Sequence, residues 1–497
     1  MAAQKSFQNA IKWSFAGIWV ERLLVAVFTV VLAALLGPKD FGLIGIAWVF
    51  VTFIQMFLDQ GLTAALVQKK DLQQEHLDAV FWMNLTLSLV LVSVSVALSH
   101  WWAGMNHAPK VATLISVLSL CVPIEALAIV QKSIFSRNMD FKSLSVRSTA
   151  GVFAGGLVGI AMAWAKFGVW SLVGQQITKD LVSLVLIWRL SDWRPRWEFS
   201  WSHLRELLSF SASNFIAQMG IFADIQSGTI LVGLFLGPVP VGLYRLADRL
   251  MNSVIAACAA SIQMVSLPEF SRLQDDEARL AESALTCIRL SSTITIPALA
   301  GLAAVSGPLM AMLGPEWLAA AVVLRILCVL GMVIIFAYFT GPLLQALGRP
   351  HLLAWLEWAR TILGVAFLIV AGAMTRHSVL NRQIIAIAVA KLIPGVFVIT
   401  PVFLYILMHF TKISLRRVIG SIMPSLIAAT TIVLIVSGLN KGLNTFTIGP
   451  RWLFATEVTV GIIVGVPMLL LVDRQLREFV RRRFGSLRSS PRFSMFK

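Results

Sequence analysis

Charge is scarce in this 497-residue chain. Asp, Glu, Lys and Arg make up 13% of it, about half the share of an ordinary soluble domain, while 58% of residues are hydrophobic. Cysteine is scarcer still. Cys121, Cys258, Cys287 and Cys328 all fall inside apolar runs without metal-ligand spacing, which argues against a disulfide framework or a metal site and leaves small packing residues. No GxxxxGK[ST] phosphate loop, HExxH zinc signature or GxSxG elbow occurs, which argues against an ATP-driven pump and against the enzymes those motifs mark. No cofactor is implied. The seven histidines are scattered through loops, and no polar stretch is long enough for a soluble catalytic domain. The first hydrophobic run lacks a small-residue cleavage pattern and leads at once into another, so it reads as a span and not as a signal peptide.

What the chain has is apolar blocks long enough to cross a hydrocarbon core, which takes roughly 20 helical residues. They lack strand-like alternation, and unpaired backbone groups are costly in lipid, so helices are expected throughout. The expected fold class is an all-α polytopic membrane protein with about fourteen spans. These are 13–36, 42–66, 79–99, 111–131, 148–165, 170–189, 208–236, 243–267, 286–312, 318–346, 352–373, 383–409, 419–438 and 452–472. The longest polar linker, about Ser191 to Glu206, carries SDWRPRW and suits a boundary between lobes. The expected organisation is an N-terminal lobe (1–190), a linker (191–207), a second lobe (208–410), an additional helix pair (411–472) and a basic tail (473–497).

The formal net charge of +17 invites a nucleic-acid partner, but its distribution argues otherwise. With the N-terminus in the cytoplasm, 27 of the 41 basic residues fall in cytoplasmic segments and 7 in outward loops, the rest lying within spans. That asymmetry is how orientation charges behave. Both termini are therefore expected in the cytoplasm, and the Arg-rich tail suits anionic lipid or a topology signal.

A turn repeats at an offset of 200 residues. Leu36-Gly37-Pro38 and Gly42-Leu43 have counterparts at Leu236-Gly237-Pro238 and Gly242-Leu243, which suggests two related lobes. Gly151, Gly155 and Gly159 form a stripe that permits close helix packing. Pro394-Gly395 beside Lys391 marks a bend, read equally as a moving element or as a static kink.

Charged residues inside apolar spans are costly unless they face water, pair or snorkel to the interface. Arg22, Arg245, Arg249 and Lys391 are the candidates for a substrate cavity, with ion pairing and snorkelling as the bland alternatives. Glu21, Asp59, Glu125 and Asp224 are candidates for H+ or Na+ coupling or for structural roles. Asp59 and Glu125 lie closer to span ends, which suits capping or helix contacts. Lys179, Asp180 and Glu457 are further charges within spans. Glu357 with Arg360, and Arg245 with Asp248, have the spacing of i,i+3 pairs. A cavity rich in Arg and Lys favours an anionic substrate, because the guanidinium fork matches phosphate oxygens.

LLGPKDFGLIGIA, FLDQGLTAALVQKKDL, FSRNMDFKSLSVR, GLYRLADRLMN and GPLLQALGRPHLL, in that order, resemble the WzxC-like lipopolysaccharide and exopolysaccharide translocases. These are polysaccharide transporters of the MOP flippase superfamily. The resemblance implies two pseudo-symmetric six-helix lobes in a V, plus two C-terminal helices. It implies movement of undecaprenyl-pyrophosphate-linked oligosaccharide from the cytoplasmic to the periplasmic leaflet of a bacterial inner membrane. Membrane lipids and polysaccharide polymerase or export machinery are the implied partners, and the chain is expected to work as a monomer. By position Arg22 resembles a family residue that meets the lipid-linked phosphate, and Asp59 and Gly61 resemble a recurring D-x-G-L element. A related multidrug or metabolite exporter and a lipid scramblase are the rival readings.

Overall fold

The computed structural model describes residues 2–59, 62, 63, 66, 69, 71–335, 337–375, 378–443, 449–472 and 477. Those residues form helices and short connections, with no strand among them. In lipid a segment must close its own backbone hydrogen bonds, and the helix does so within one segment. The chain runs through α1 (Ala2–Leu35), α2 (Pro38–Asp59), α3 (Gln74–Met105), α4 (Lys110–Leu118), α5 (Cys121–Arg137) and α6 (Phe141–Trp164). Next come α7 (Trp170–Leu190), α8 (Trp201–Leu236), α9 (Pro238–Arg272), α10 (Glu277–Ala304), α11 (Ser306–Leu313) and α12 (Leu318–Ile334). The last six are α13 (Ala337–Ala346), α14 (Pro350–Thr375), α15 (Leu380–Pro394), α16 (Thr400–Thr411), α17 (Leu415–Leu443) and α18 (Pro450–Val472).

Among the described residues, eleven helical stretches are long and apolar enough to cross a membrane. The chain is a multi-pass all-α membrane protein. The expected spans 13–36, 170–189 and 243–267 are also helical, as α1, α7 and α9, but are not among the eleven. Side chains in 13–36 and 243–267 lie partly outside the described set, as do Gly61, the side chain of Asp59, and the basic tail apart from Arg477.

Expected single spans are subdivided in four places, one of them in 286–312, between α10 and α11 at Val305. The stretch 111–131 is broken between α4 and α5, and 318–346 between α12 and α13. The bend expected at Pro394-Gly395 is a π-helical turn, Gly395–Ile399. Proline removes a backbone donor and leaves a carbonyl to be satisfied otherwise. Within the π turn itself the Thr400 hydroxyl donates to the Gly395 carbonyl at 2.8 Å, a side-chain contact of the kind that supports irregular helix at membrane depth.

The helices group into two compact units. One comprises Met1–Ser253, Leu313–Val323 and Ala354–Pro394; the other comprises Val254–Met312, Leu324–Leu353 and Gly395–Lys497. The second has a core in which Phe270, Leu280, Ile288, Phe339, Leu407 and Ile422 are buried together. In it Arg325 donates to the Ser306 hydroxyl at 2.8 Å.

The first unit is assembled on two close backbone approaches. The repeated hairpins meet reciprocally: a Cβ on Gly42 would strike the Pro238 carbonyl, and one on Gly242 would strike the Pro38 carbonyl. Each would also lie 3.1 Å from the other glycine's nitrogen. Equivalent atoms thus touch across a local two-fold relation. Proline at the first position of α2 and of α9 suits a helix start, where its missing N–H has no intrahelical acceptor to lose. Gly237, at φ +82, turns the chain between α8 and α9.

The second approach is the expected glycine stripe. A Cβ on Gly151 would reach the Lys179 carbonyl at 2.7 Å, and one on Gly159 would sit 3.0 Å from Cβ of Gln175. A Cβ on Gly155 would meet the Gln175 carbonyl and the Lys179 backbone. Without a hydrophobic drive between helices in lipid, such close packing is what holds them together. It seats α7 along α6.

On the polar side of this unit, Lys69 donates to Glu206, and His76 Nε2 lies 3.5 Å from the same carboxylate. Those hydrogen bonds hold the Glu206 carboxyl below its ordinary value.

Two outcomes follow from these contacts. Gly42→Ala and Gly242→Ala each force backbones apart, and overpacking of this kind costs about 1–3 kcal/mol or more. The detergent-solubilised variants should melt several degrees below wild type, whereas Gly37→Ala, with open space around it, should not. Because the Glu206 pKa is depressed on folding, its stabilising contribution is complete above the unfolded value near 4.5 and lost as pH falls through the folded one. Acid titration of the melting temperature should therefore show a loss in wild type that Glu206→Gln lacks.

Candidate functional site

Two adjoining cavities open within the first unit. One, of about 440 Å³, is lined from α1 by Glu21, Arg22 and Val25, and from α2 by Phe41, Ile44 and Trp48. Leu118, Val152 and Leu172 add apolar wall, Gln175, Gln176 and Lys179 come from α7, and Ile225 and Gln226 from α8. Arg245, Asp248, Arg249, Asn252 and Ser253 of α9 close it. Three of the four predicted cavity cations, Arg22, Arg245 and Arg249, are thus brought together, and Lys179 joins them. Four cations face two carboxylates, Glu21 and Asp248, so the chamber is positive.

The local packing explains why these side chains converge. Gly45 faces α9, and a Cβ there would press on Cγ and Cδ of Arg245 at 3.4 and 3.3 Å. The bare glycine leaves room for the arginine stem. The glycine stripe of α6 fixes the helix that carries Gln175 and Lys179.

Few of these cations have an acid to neutralise them. Arg245 Nη1 donates to the Gln226 side-chain carbonyl at 3.3 Å. The expected i,i+3 pair with Asp248 is not made: among the described residues no close ion pair joins the two. Arg22 and Arg249 are exposed and, among the described residues, their guanidinium groups have no hydrogen-bond or ion-pair partner. Arg249 feels the like charges of both Arg22 and Arg245. An unpaired Arg at membrane depth costs about 2.5–3.5 kcal/mol even on insertion scales. A water-filled chamber relieves that cost, and an anion relieves it further.

The remaining predicted site residues are placed differently. Lys391 does not line this cavity; its Nζ donates to the buried Tyr244 hydroxyl at 3.0 Å, one residue from Arg245. Asp224 is paired with Arg360 at 2.8 Å, and Arg360 also meets Glu357 at 2.6 Å, so the expected i,i+3 pair is formed and extended into a triad. Glu125 is paired with Lys132. Of the acids singled out in the sequence whose side chains are described, Glu21, Glu125 and Asp224, the first lines the cationic cavity; the Asp59 side chain lies outside the described set.

The second cavity, of about 640 Å³, shares Trp48, Gln176, Lys179, Ile225 and Gln226 with the first and therefore adjoins it. It continues past Thr52, Gln55, Glu125, Lys132, Asp180, Phe215, Gln218 and Phe222. Its charges are matched: Lys132 with Glu125, and Lys179 with Asp180 at 3.7 Å. Lys179 and Asp180 stand out in the sequence only as charges within a span, and Gln176 and Gln226 carry no sequence signal, since a neutral amide disturbs hydropathy little.

No group of three His, Cys, Asp or Glu side chains among the described residues could hold a metal ion.

Comparison with known proteins gives these cavities a setting. The succinoglycan biosynthesis transport protein ExoT of Rhizobium meliloti is 28% identical over 330 residues, and the alignment spans 66% of each chain. The teichuronic acid biosynthesis protein TuaB of Bacillus subtilis is 23% identical over 493 residues, 96% of this chain and 98% of that one. The lipopolysaccharide biosynthesis protein WzxC of Escherichia coli is 23% identical over 75% of this chain and 77% of its own. Among solved structures, the lipid II flippase MurJ in an inward closed conformation matches 93% of this chain and 99% of its own, with a TM-score of 0.71 at 15% identity. An inward-facing multidrug MATE transporter of the MOP superfamily matches 82% and 96%, with a TM-score of 0.59 at 17% identity. At those identities the two structures share the fold. Residues 31–322, which include most of both cavities, match the model of polysaccharide biosynthesis proteins, and the chain belongs to that family.

Proposed function

We propose that this chain is a flippase that carries lipid-linked oligosaccharide repeat units across the membrane for polysaccharide biosynthesis. In the finer form of the reading, undecaprenyl pyrophosphate is the carrier, and transport runs from the cytoplasmic to the periplasmic leaflet of a bacterial inner membrane. Fourteen spans form two six-helix lobes and a terminal pair, both termini are cytoplasmic, and the polymerase and export machinery receive the product.

The observation that carries the reading is the cluster of Arg22, Arg245 and Arg249 around one cavity with few acid partners. A pyrophosphate supplies the missing negative charge, and each guanidinium can meet two of its oxygens. The polyprenyl tail stays in lipid while the head occupies the chamber. Rocking of two lobes about such a site gives alternating access. Glu21, which lines the chamber with Arg147 as an electrostatic neighbour and no close ion pair among the described residues, is on this reading the acid that couples H+ or Na+ to the charge of that site. A chamber with three arginines and two acids, its lysine already paired with Asp180, repels the lipophilic cations that a multidrug exporter would carry.

The test is flux of lipid-linked oligosaccharide in reconstituted vesicles. Each hydrogen bond to a charged group is worth about 1.5–3 kcal/mol, and every 1.4 kcal/mol is tenfold. Arg22→Glu and Arg249→Glu should each lower flux at least tenfold while leaving insertion and melting temperature near wild type. Wild-type flux in both variants would discard the cationic site. For topology, fluorescent-protein fusions at either end should fluoresce and alkaline phosphatase fusions at the same ends should be inactive; the reverse pattern at one end changes the number of spans.

A further inference from the structure

The two cavities differ in a way that assigns them different parts of one ligand. Along α2 they are stacked end to end on one face. Phe41, Ile44 and Trp48 line the cationic cavity, and Trp48, Thr52, Gln55 and Met56 line the larger one. From position 44 to position 55 is about 16 Å at 1.5 Å per residue. The cavities share a waist at Trp48, Lys179 and Gln226.

Beyond that waist the excess of positive charge ends. The cations are matched by acids, Lys132 with Glu125 and Lys179 with Asp180. Four glutamine amides face the space: Gln176 and Gln226, shared with the cationic cavity, and Gln55 and Gln218, which line the larger one alone. Gln176 donates to Asp180 at 2.9 Å, and Gln226 accepts from Arg245. Gln55 and Gln218 have no side-chain partner among the described residues. The Thr52 hydroxyl, also on this wall, is buried without a partner. A buried hydroxyl without a partner is costly, and it and the two free amides beside it suit a ligand that both donates and accepts. Apolar faces stand beside them: Phe215 and Phe222 line the cavity, backed by Phe57 and Phe53 with ring centroids 5.2 and 5.6 Å away.

We infer that the larger cavity is the glycan subsite: a hydroxyl-rich saccharide lies along Thr52, Gln55 and Gln218, its pyrophosphate-proximal sugar at Trp48. Amides exchange hydrogen bonds with vicinal hydroxyls without a net charge, and aromatic rings cover the apolar faces of pyranose rings. Because the local charges are matched, the subsite adds no general attraction for anions. Recognition of the sugar is thereby separated from recognition of the phosphate. This inference rests on the flippase reading and names the part of the substrate that the second cavity holds.

The experiment compares two probes by native mass spectrometry of the full chain in detergent. One is sugar-free undecaprenyl pyrophosphate; the other is undecaprenyl-pyrophosphate-linked repeat units purified from the cells that carry this protein. Gln55→Leu and Gln218→Leu should weaken binding of the glycan-bearing lipid at least tenfold and leave the sugar-free lipid within twofold of wild type. Gln55→Asn, which keeps the amide, should recover part of the loss and serves if the leucine variants do not fold. Arg249→Glu should weaken both probes. Equal loss of both probes in the glutamine variants would make the cavity a lipid-tail site and overturn the inference. Unchanged binding of both would overturn it too while leaving the flippase standing. Failure of the wild type to bind either lipid would remove the flippase reading itself.

Discussion

The first unit depends on two peptide backbones touching where a side chain would have kept them apart. Gly42 lies on the Pro238 carbonyl and Gly242 on the Pro38 carbonyl. In water such a contact would be a minor part of a hydrophobic core. In lipid, where hydrocarbon surrounds the helices in any arrangement, dispersion between close backbones and satisfied polar groups carry association. Proline at the next helix start and glycine one turn later are therefore positional requirements, and the same requirement appears twice, 200 residues apart. The glycine stripe of α6 applies the same solution to α7.

These contacts explain how uncompensated charge is held at membrane depth. The backbones of α2 and α9 are locked together near their starts, and α7 is locked onto α6. Side chains one to two turns further along each helix must then converge. Arg245 and Arg249 descend from the fixed hairpin, Lys179 from the seated helix, and Arg22 reaches in from α1. The frame resists the mutual repulsion because it is made of packing and not of the charges themselves. Neutralisation is kept for the neighbouring groups: the Asp224–Arg360–Glu357 triad and the Glu125–Lys132 pair are satisfied within the protein.

Much of this was legible in the sequence. Hydropathy located the helices because apolar runs of span length have few other solutions, and the repeated Leu-Gly-Pro turn pointed to the hairpins that meet. Three of four cavity cations were identifiable, since an Arg inside an apolar span has few cheap places to go. Lys391 was harder: like Arg249 it is a cation within an expected span, and only the position of Tyr244 across from it decides its contact. The Arg245–Asp248 pair failed for a related reason, because helical spacing permits the contact while Gln226 on another helix takes the guanidinium instead. The glutamines of the larger cavity were silent. A neutral amide barely alters hydropathy, and what makes Gln55 and Gln218 notable is the lack of partners around them, which is a property of three dimensions.

The pairing of hairpins bears on one further point. Position 45 in the first hairpin corresponds by the same offset to position 245 in the second, and the two are in contact. One carries a hydrogen atom and the other a guanidinium. At this matched pair, a frame whose peptide groups obey a local two-fold presents a cation from the second half only, while Arg22 and Lys179 of the first half enter at positions without a matched basic residue. Two arginines at matched positions would face each other across the axis and remove the difference between the two hairpins there. Glycine opposite arginine makes the chamber polar, so a ligand with distinct ends is read in one orientation.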